Sequence, residues 1–134
     1  MNSDITVDES CVSAFWELRG KREVNTVIYR LSDSLDSCLV ECQGNLTHDE
    51  FLLILPADEP RLAVYDLAFA TADGTRQNRT VLISWLPGAA VPQHEAAYGY
   101  AHAALLDRLG GSLVSVRATD VADLDYSRLV SQAG

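Results

Sequence analysis

Two stretches of this chain are apolar on both of their faces. They extend from Arg61 to Thr71 and from Thr80 to Trp85, and both are rich in aliphatic and aromatic residues, which are common in strands. Residues 72–75, Ala-Asp-Gly-Thr, have the composition of a tight turn, so the two predicted strands pair as antiparallel neighbours. Since central strands of this kind are covered on both faces, the pattern predicts a sheet with helices on each side.

The first helix is predicted from apolar residues that fall on one stripe of a 3.6-residue period. The stripe consists of Val7, Cys11, Ala14, Phe15 and Leu18. Thr6 is the expected N-cap of this helix, and Gly20 is expected to end it.

The second helix has the clearest start signal in the sequence. Thr47 as N-cap and Glu50 three residues later form a capping box, while Leu46 and Phe51 occupy the two positions of a hydrophobic staple. This helix is expected to end at residues 55–56, Leu-Pro, because proline cannot continue it.

Weaker patterns complete the order of elements. They predict a hairpin over Val24–Leu31 and Leu35–Cys42, a third helix from Pro92 to Leu109, a last strand from Ser112 to Ala118, and a short closing helix from Asp120 to about Val130. The order α, β, β, α, β, β, α, β, α predicts an α/β (α+β) fold, in which residues 1–134 form one domain with a central mixed sheet flanked by helices on both faces.

Acidic residues outnumber basic ones. With 10 Lys and Arg against 19 Asp and Glu, the formal charge is −9, which repels nucleic acid and anionic lipid surfaces at long range. Nucleic acid is therefore not an expected partner. No apolar stretch approaches the roughly 20 residues of a membrane span, and the first residues, Met-Asn-Ser-Asp, do not resemble a secretory signal.

Residues that could bind a metal or support catalysis are scattered along the chain. Cys11, Cys38 and Cys42 lack the spacing of a zinc site and are expected to be reduced, half-buried packing residues. His94 and His102 are two helical turns apart, about 12 Å, which is too far to share one metal ion.

The carboxylates near the carboxyl end, Asp120, Asp123 and Asp125, have the pattern of a helix start. We therefore expect no catalytic residues, no metal site and no cofactor.

Three stretches resemble one protein family. They are residues 8–18, which contain Asp8-Glu9-Ser10 and Ala-Phe-Trp-Glu-Leu; Leu55 to Asp66; and Val81 to Pro87 followed by Ala90, Pro92, Tyr98 and Leu105. Their order and spacing, with Ala118-Thr119-Asp120, are similar to those of the actin-depolymerising factor (ADF)/cofilin family over nearly the whole chain. The resemblance implies the ADF-homology (gelsolin-like) fold, a mixed sheet of five or six strands with two helices on each face.

In that family, monomeric actin is bound by the amino terminus and by the long helix, which enters an apolar cleft on actin. The matching positions here are Asn2, Ser3, Asp4, Gln93, Glu95, Ala96, Gly99 and Tyr100. Family members usually carry two basic residues and a methionine where this chain has Gln93, Glu95 and Ala96. The resemblance therefore implies weaker electrostatic attraction and a smaller apolar contact, which Tyr100 partly offsets.

Two residues of this helix are open to more than one interpretation. Tyr98 either contacts a partner or packs on the sheet. Gly99 indicates either close approach of a partner or a kink, because glycine in mid-helix costs about 1 kcal/mol relative to alanine.

Filament binding in the family uses a basic loop before the Trp-containing strand and the final helix. Arg76 and Arg79 match the loop, and Arg128 is the cation of the final helix. The two loop arginines are also consistent with ordinary solvated charges. Ser3 matches the serine whose phosphorylation inactivates family members, since a phosphate adds about −1.5 to −2 charge.

The resemblance implies a non-enzymatic, monomeric, cytoplasmic protein that binds actin monomers more than filaments. It would prefer ADP-actin, promote filament depolymerisation, sever weakly, and bind phosphoinositides weakly or not at all. The alternative is a regulatory adaptor of the same fold that binds the actin-branching nucleation complex or another partner. The turn at residues 85–87, Trp-Leu-Pro, favours the cofilin branch over the glia-maturation-factor branch.

Overall fold

Six strands form one mixed sheet in the computed structural model, which describes residues 5–20, 24–87, 92–110 and 113–133. The strands are β1 (Thr6–Val7), β2 (Thr26–Leu31), β3 (Ser37–Gly44), β4 (Arg61–Ala70), β5 (Arg76–Trp85) and β6 (Val114–Ala118). The helices are α1 (Glu9–Gly20), α2 (His48–Ile54), α3 (Pro92–Leu109) and α4 (Tyr126–Ala133), with a 3-10 helix at Val121–Leu124. The sheet order is β1-β3-β2-β4-β5-β6, in which β1 with β3 and β5 with β6 are parallel pairs and the others are antiparallel.

Helices cover both faces of the sheet, as the two-sided apolar strands predict. On β5, Leu82 points into a core formed with α1 and α3, whereas its neighbours Val81 and Ile83 point into a second core formed with α2 and α4. β4 alternates in the same way, with Leu62 in the first core and Ala63 in the second. The period of two along each strand therefore divides the apolar residues between two helical layers.

The predicted capping box of α2 is confirmed. The Thr47 hydroxyl accepts a hydrogen bond from the Glu50 N–H at 3.1 Å, and the Glu50 carboxylate accepts one from the Thr47 N–H at 2.8 Å. One turn further, Phe51 is fully buried and stacks on Tyr65 of β4, with ring centroids 4.5 Å apart. The capping box therefore determines where α2 begins, and Phe51 packs the helix against the sheet.

The prediction that Thr6 caps the first helix is wrong. Thr6 and Val7 form β1, which pairs with Ser37 and Cys38 of β3. The helix begins at Glu9, and the Asp8 carboxylate accepts the Ser10 N–H at 3.0 Å. Hydrogen bonds from Ser10 also lower the pKa of Asp8. Threonine and valine suit a strand as well as a helix start, so the local pattern could not separate the two.

Other bounds moved by a few residues. Leu35, the predicted start of β3, has φ 61° and lies in the turn, so the strand begins at Ser37. The predicted start of β6, Ser112, lies outside the described residues. The closing helix is divided into the 3-10 helix and α4, with Asp120 accepting the Asp123 N–H at the start of the first.

The helix α3 has the predicted bounds, Pro92 to Leu109. It ends at Gly110, which adopts φ 104° and donates its N–H to the Leu106 carbonyl at 3.0 Å. A residue in this conformation ends a helix at little cost only if it is glycine.

Among the described residues, the helices are too short or too polar to span a membrane.

The prediction of three half-buried cysteines is wrong. All three are free, but Cys11 and Cys38 are fully buried and Cys42 is exposed on β3. The Cys11 thiol donates to the Cys38 carbonyl at 3.1 Å, which joins α1 to β3.

Candidate functional site

The helix α3 is anchored to the sheet by one buried stripe. The stripe consists of Tyr98, Ala101, Leu105 and Leu109. Tyr98 is 4% exposed, and its hydroxyl accepts the Leu31 N–H of β2 at 2.9 Å. Of its two interpretations, the structure supports packing on the sheet.

The opposite side of α3 is exposed and built mainly from small residues. Gln93, Ala96, Gly99 and Ala103 are exposed, and Tyr100 is 42% exposed. A Cβ added to Gly99 would meet no atom within 4 Å, so packing inside the protein does not explain this glycine. Four predicted monomer-site residues, Gln93, Ala96, Gly99 and Tyr100, are therefore open to a partner.

Glu95, the fifth predicted residue on this helix, is partly turned towards the sheet. Its carboxylate accepts a hydrogen bond from Nη2 of Arg117 on β6 at 3.2 Å. The two side chains are 22 positions apart in sequence. The negative charge that the sequence places on the helix is therefore balanced by a cation of the neighbouring strand.

A groove of about 390 Å³ lies between α3 and β6. Apolar atoms of Leu86, Leu106 and Val116 line it together with Gly99. Glu95 and Arg117 also line this groove. The exposed face of α3 and the β6 arginine therefore border one continuous surface.

His102 connects α3 to the two strands under this groove. Its Nδ1 is 2.6 Å from the Ser84 hydroxyl of β5, and its Nε2 is 3.1 Å from the Ser115 hydroxyl of β6. In a neutral imidazole one nitrogen donates and the other accepts, and the serine hydroxyls can match either tautomer. Burial lowers the pKa of His102, which favours this neutral form. The contacts of His102 with Ser84 and Ser115 position α3 on the sheet.

The predicted filament residues lie on a different part of the molecule. Arg76 and Arg79 are exposed on β5, opposite Ala70 and Leu67 of β4. The prediction of a basic loop at these positions is wrong, because the strand begins four residues earlier than its apolar pattern. The first residues of β5 are polar, so they carry no strand signal.

The third predicted filament residue, Arg128, is in an ion pair within the protein. Its Nη1 is 3.5 Å from the Asp123 carboxylate. Two residues earlier, the Tyr126 hydroxyl donates to the Ala68 carbonyl of β4 at 2.6 Å, and Ala68 pairs with Asn78, between the two β5 arginines. This contact brings the start of α4 to the same hairpin as Arg76 and Arg79.

The remaining predicted residues, Asn2, Ser3 and Asp4, lie outside the described residues. Within the described ranges, no group of three or more His, Cys, Asp or Glu side chains could hold a metal ion.

Comparison with known proteins decides the family. A family model described as cofilin/tropomyosin-type actin-binding protein matches residues 4–134. The chain belongs to this ADF/cofilin family.

Curated and solved relatives agree over nearly the full length of this ADF/cofilin-family protein. Actin-depolymerizing factor 10 of Oryza sativa subsp. japonica is 34% identical over 131 residues, covering 96% of this chain and 87% of the relative. Actin-depolymerizing factor 1 of Arabidopsis thaliana is 31% identical over 133 residues, covering 98% and 96%. The crystal structure of Streptomyces griseoflavus cofilin superposes with a TM-score of 0.86 at 25% identity and covers 97% of each chain.

Sequence reasoning missed three residues that shape the site of this ADF/cofilin-family protein. Arg117, His102 and Tyr126 each act on residues that are distant in sequence. A side chain's partner across a sheet edge depends on the register of β6 against β5, which no local pattern contains. Polar and apolar residues alternate along β6, and this pattern is the sequence signal that places Arg117 on the exposed face of the strand.

Proposed function

We propose that this protein binds monomeric actin through the exposed face of α3, with preference for ADP-actin, and promotes filament depolymerisation and turnover. The observation that carries the proposal is the face itself, where Ala96, Gly99 and Tyr100 are exposed on a helix whose opposite stripe is buried. Small residues let a partner approach the helix backbone closely, and an exposed tyrosine is a frequent anchor in interfaces. The names of the relatives support actin as the partner.

We expect monomers to be bound more tightly than filaments, with weak severing. Of the three predicted filament cations, Arg76 and Arg79 are exposed, whereas Arg128 already binds Asp123. An exposed ion pair contributes about 0.2–1 kcal/mol, so two or three such contacts supply little affinity. The net charge of −9 also disfavours phosphoinositide binding.

The remaining parts of the proposal follow from the family. The protein acts as a non-enzymatic monomer in the cytoplasm, at the actin cytoskeleton. Phosphorylation of Ser3, a predicted monomer-binding residue, would add negative charge and weaken binding to an acidic surface of actin.

The test is nucleotide exchange on monomeric actin carrying a fluorescent nucleotide. We expect micromolar protein to slow exchange, and to do so at lower concentration with ADP-actin than with ATP-actin. If exchange and monomer mobility are unchanged at these concentrations, the proposal is wrong. In that case, retention of the branching nucleation complex without actin in a pull-down would identify the adaptor function.

A further inference from the structure

The ion pair between Glu95 and Arg117 leaves most of the arginine accessible. The Arg117 side chain is 69% exposed, and the Glu95 side chain is 44% exposed. A guanidinium carries five N–H donors in a planar fork, and one nitrogen, Nη2, faces Glu95. Arg117 can therefore bind a second carboxylate without releasing the first.

The position of Arg117 is as important as its exposure. Together with Gly99 it lines the groove between α3 and β6, so a partner that covers the exposed face of α3 at Gly99 also reaches the guanidinium. Glu95 holds the arginine at this edge of the helix through the 3.2 Å contact. A positive charge thus lies beside a helix face whose own sequence offers none from residue 92 to residue 107.

We propose that Arg117 is the positively charged contact of the monomer surface and binds a carboxylate of actin, in competition with Glu95, its ion-pair partner within the protein. The inference rests on the proposed function, since it names a residue and a chemistry of the same site. It predicts that the two partners of one ion pair have opposite effects on actin binding. Loss of Arg117 removes the contact, whereas loss of Glu95 removes an internal competitor for the guanidinium.

The experiment measures the dissociation constant for monomeric actin with three single variants. Arg117→Gln is expected to weaken binding about threefold to tenfold, and Glu95→Gln is expected to strengthen it up to about threefold. Arg108→Gln is the matched control, because Arg108 forms a comparable ion pair with Glu9 at 3.0 Å near the other end of α3. It removes the same charge and is expected to change binding less than twofold.

The possible results distinguish a failure of this inference from a failure of the proposed function. If the unmodified protein does not bind monomeric actin, the proposed function fails. If it binds but Arg117→Gln behaves like Arg108→Gln, the inference about Arg117 is wrong and the proposed function stands. If Arg117→Gln and Glu95→Gln weaken binding equally, the pair has a purely structural role, which also overturns the inference.

A double variant provides a second check that does not depend on the intact pair. Glu95→Gln with Arg117→Gln is expected to bind as weakly as Arg117→Gln alone, because Glu95 acts through the arginine. Recovery of full affinity in the double variant would contradict this. Thermal unfolding of all variants shows whether any loss of binding reflects loss of folded protein.

Discussion

His102 lies under the groove with its two ring nitrogens bonded to serines of different strands. Burial lowers its pKa below the ordinary value of 6.5. Between these two pKa values the unfolded chain binds the proton more readily than the folded protein, so stability falls as the pH falls below about 6.5. The contribution is fully present above that pH.

We therefore predict that His102→Gln reduces the loss of stability on lowering the pH from about 8 to about 5, with the change confined to pH values below about 6.5. The measurement is urea unfolding followed by tryptophan fluorescence across this range. His94→Gln is the control, because it removes an exposed histidine from the same helix. Equal slopes for the unmodified protein and His102→Gln would show that another group titrates.

For single residues, the sequence predicted positions on the candidate surface better than it predicted the hydrogen-bond and ion-pair partners of those residues. It placed Glu95 on the candidate surface, but the charge of this residue alone implied weaker attraction to actin. The structure balances that charge with Arg117. Tyr98 and Tyr100 are two positions apart, yet one is buried against β2 and the other is exposed. The helical period predicts that difference once the buried stripe is known.

The secondary structure elements were predictable where several local signals agree. The capping box gave the start of α2, and Pro92 gave the start of α3. β1 could not be predicted, because a two-residue strand is stabilised by its pairing with β3 rather than by its own sequence. The start of β5 at Arg76 was missed because its residues take their conformation from β4 through the hairpin.

The helix α3 offers a test of close approach by a partner. Gly99→Ala meets no atom of the protein within 4 Å, so we predict that it raises the free energy of unfolding by about 0.5–1 kcal/mol. If actin approaches the helix backbone here, the same variant weakens monomer binding by about threefold to tenfold. Chemical denaturation and nucleotide exchange measure the two effects.

The control for this substitution is Ala103→Gly, one turn further along the exposed side of α3. It should lower stability by a similar amount through the same helix propensity. A more stable Gly99→Ala variant with unchanged actin binding would mean that the glycine is not part of the contact.

The helix α2 depends on one aromatic side chain. Phe51 is fully buried and stacked on Tyr65, so Phe51→Ala is expected to lower the free energy of unfolding by about 3–5 kcal/mol. Leu53→Ala is the matched control, because Leu53 is 83% exposed and its loss should change stability by less than about 0.5 kcal/mol. Urea denaturation of both variants distinguishes them, and comparable losses would contradict the assignment of the α2 core.

In the whole molecule, the sheet separates the two candidate surfaces. The α3 surface is attached to β5 near Ser84, through His102. Arg76 is eight residues away along the same strand, which corresponds to about 27 Å. The hairpin is joined instead to α4 through Tyr126 and Ala68. Monomer and filament contacts should therefore respond to different substitutions.

We predict that Arg76→Gln with Arg79→Gln weakens filament co-sedimentation about twofold to thirtyfold at low salt and leaves monomer binding within twofold. The loss shrinks as salt rises, because exposed charges more than about 10 Å apart are largely screened near 0.1 M. Arg30→Gln with Arg108→Gln removes the same total charge elsewhere and should leave filament binding nearly unchanged. If the hairpin variant retains full, salt-sensitive filament binding, the electrostatic contact lies outside the β4–β5 hairpin. If both double variants weaken filament binding equally, net charge rather than a defined site controls the interaction.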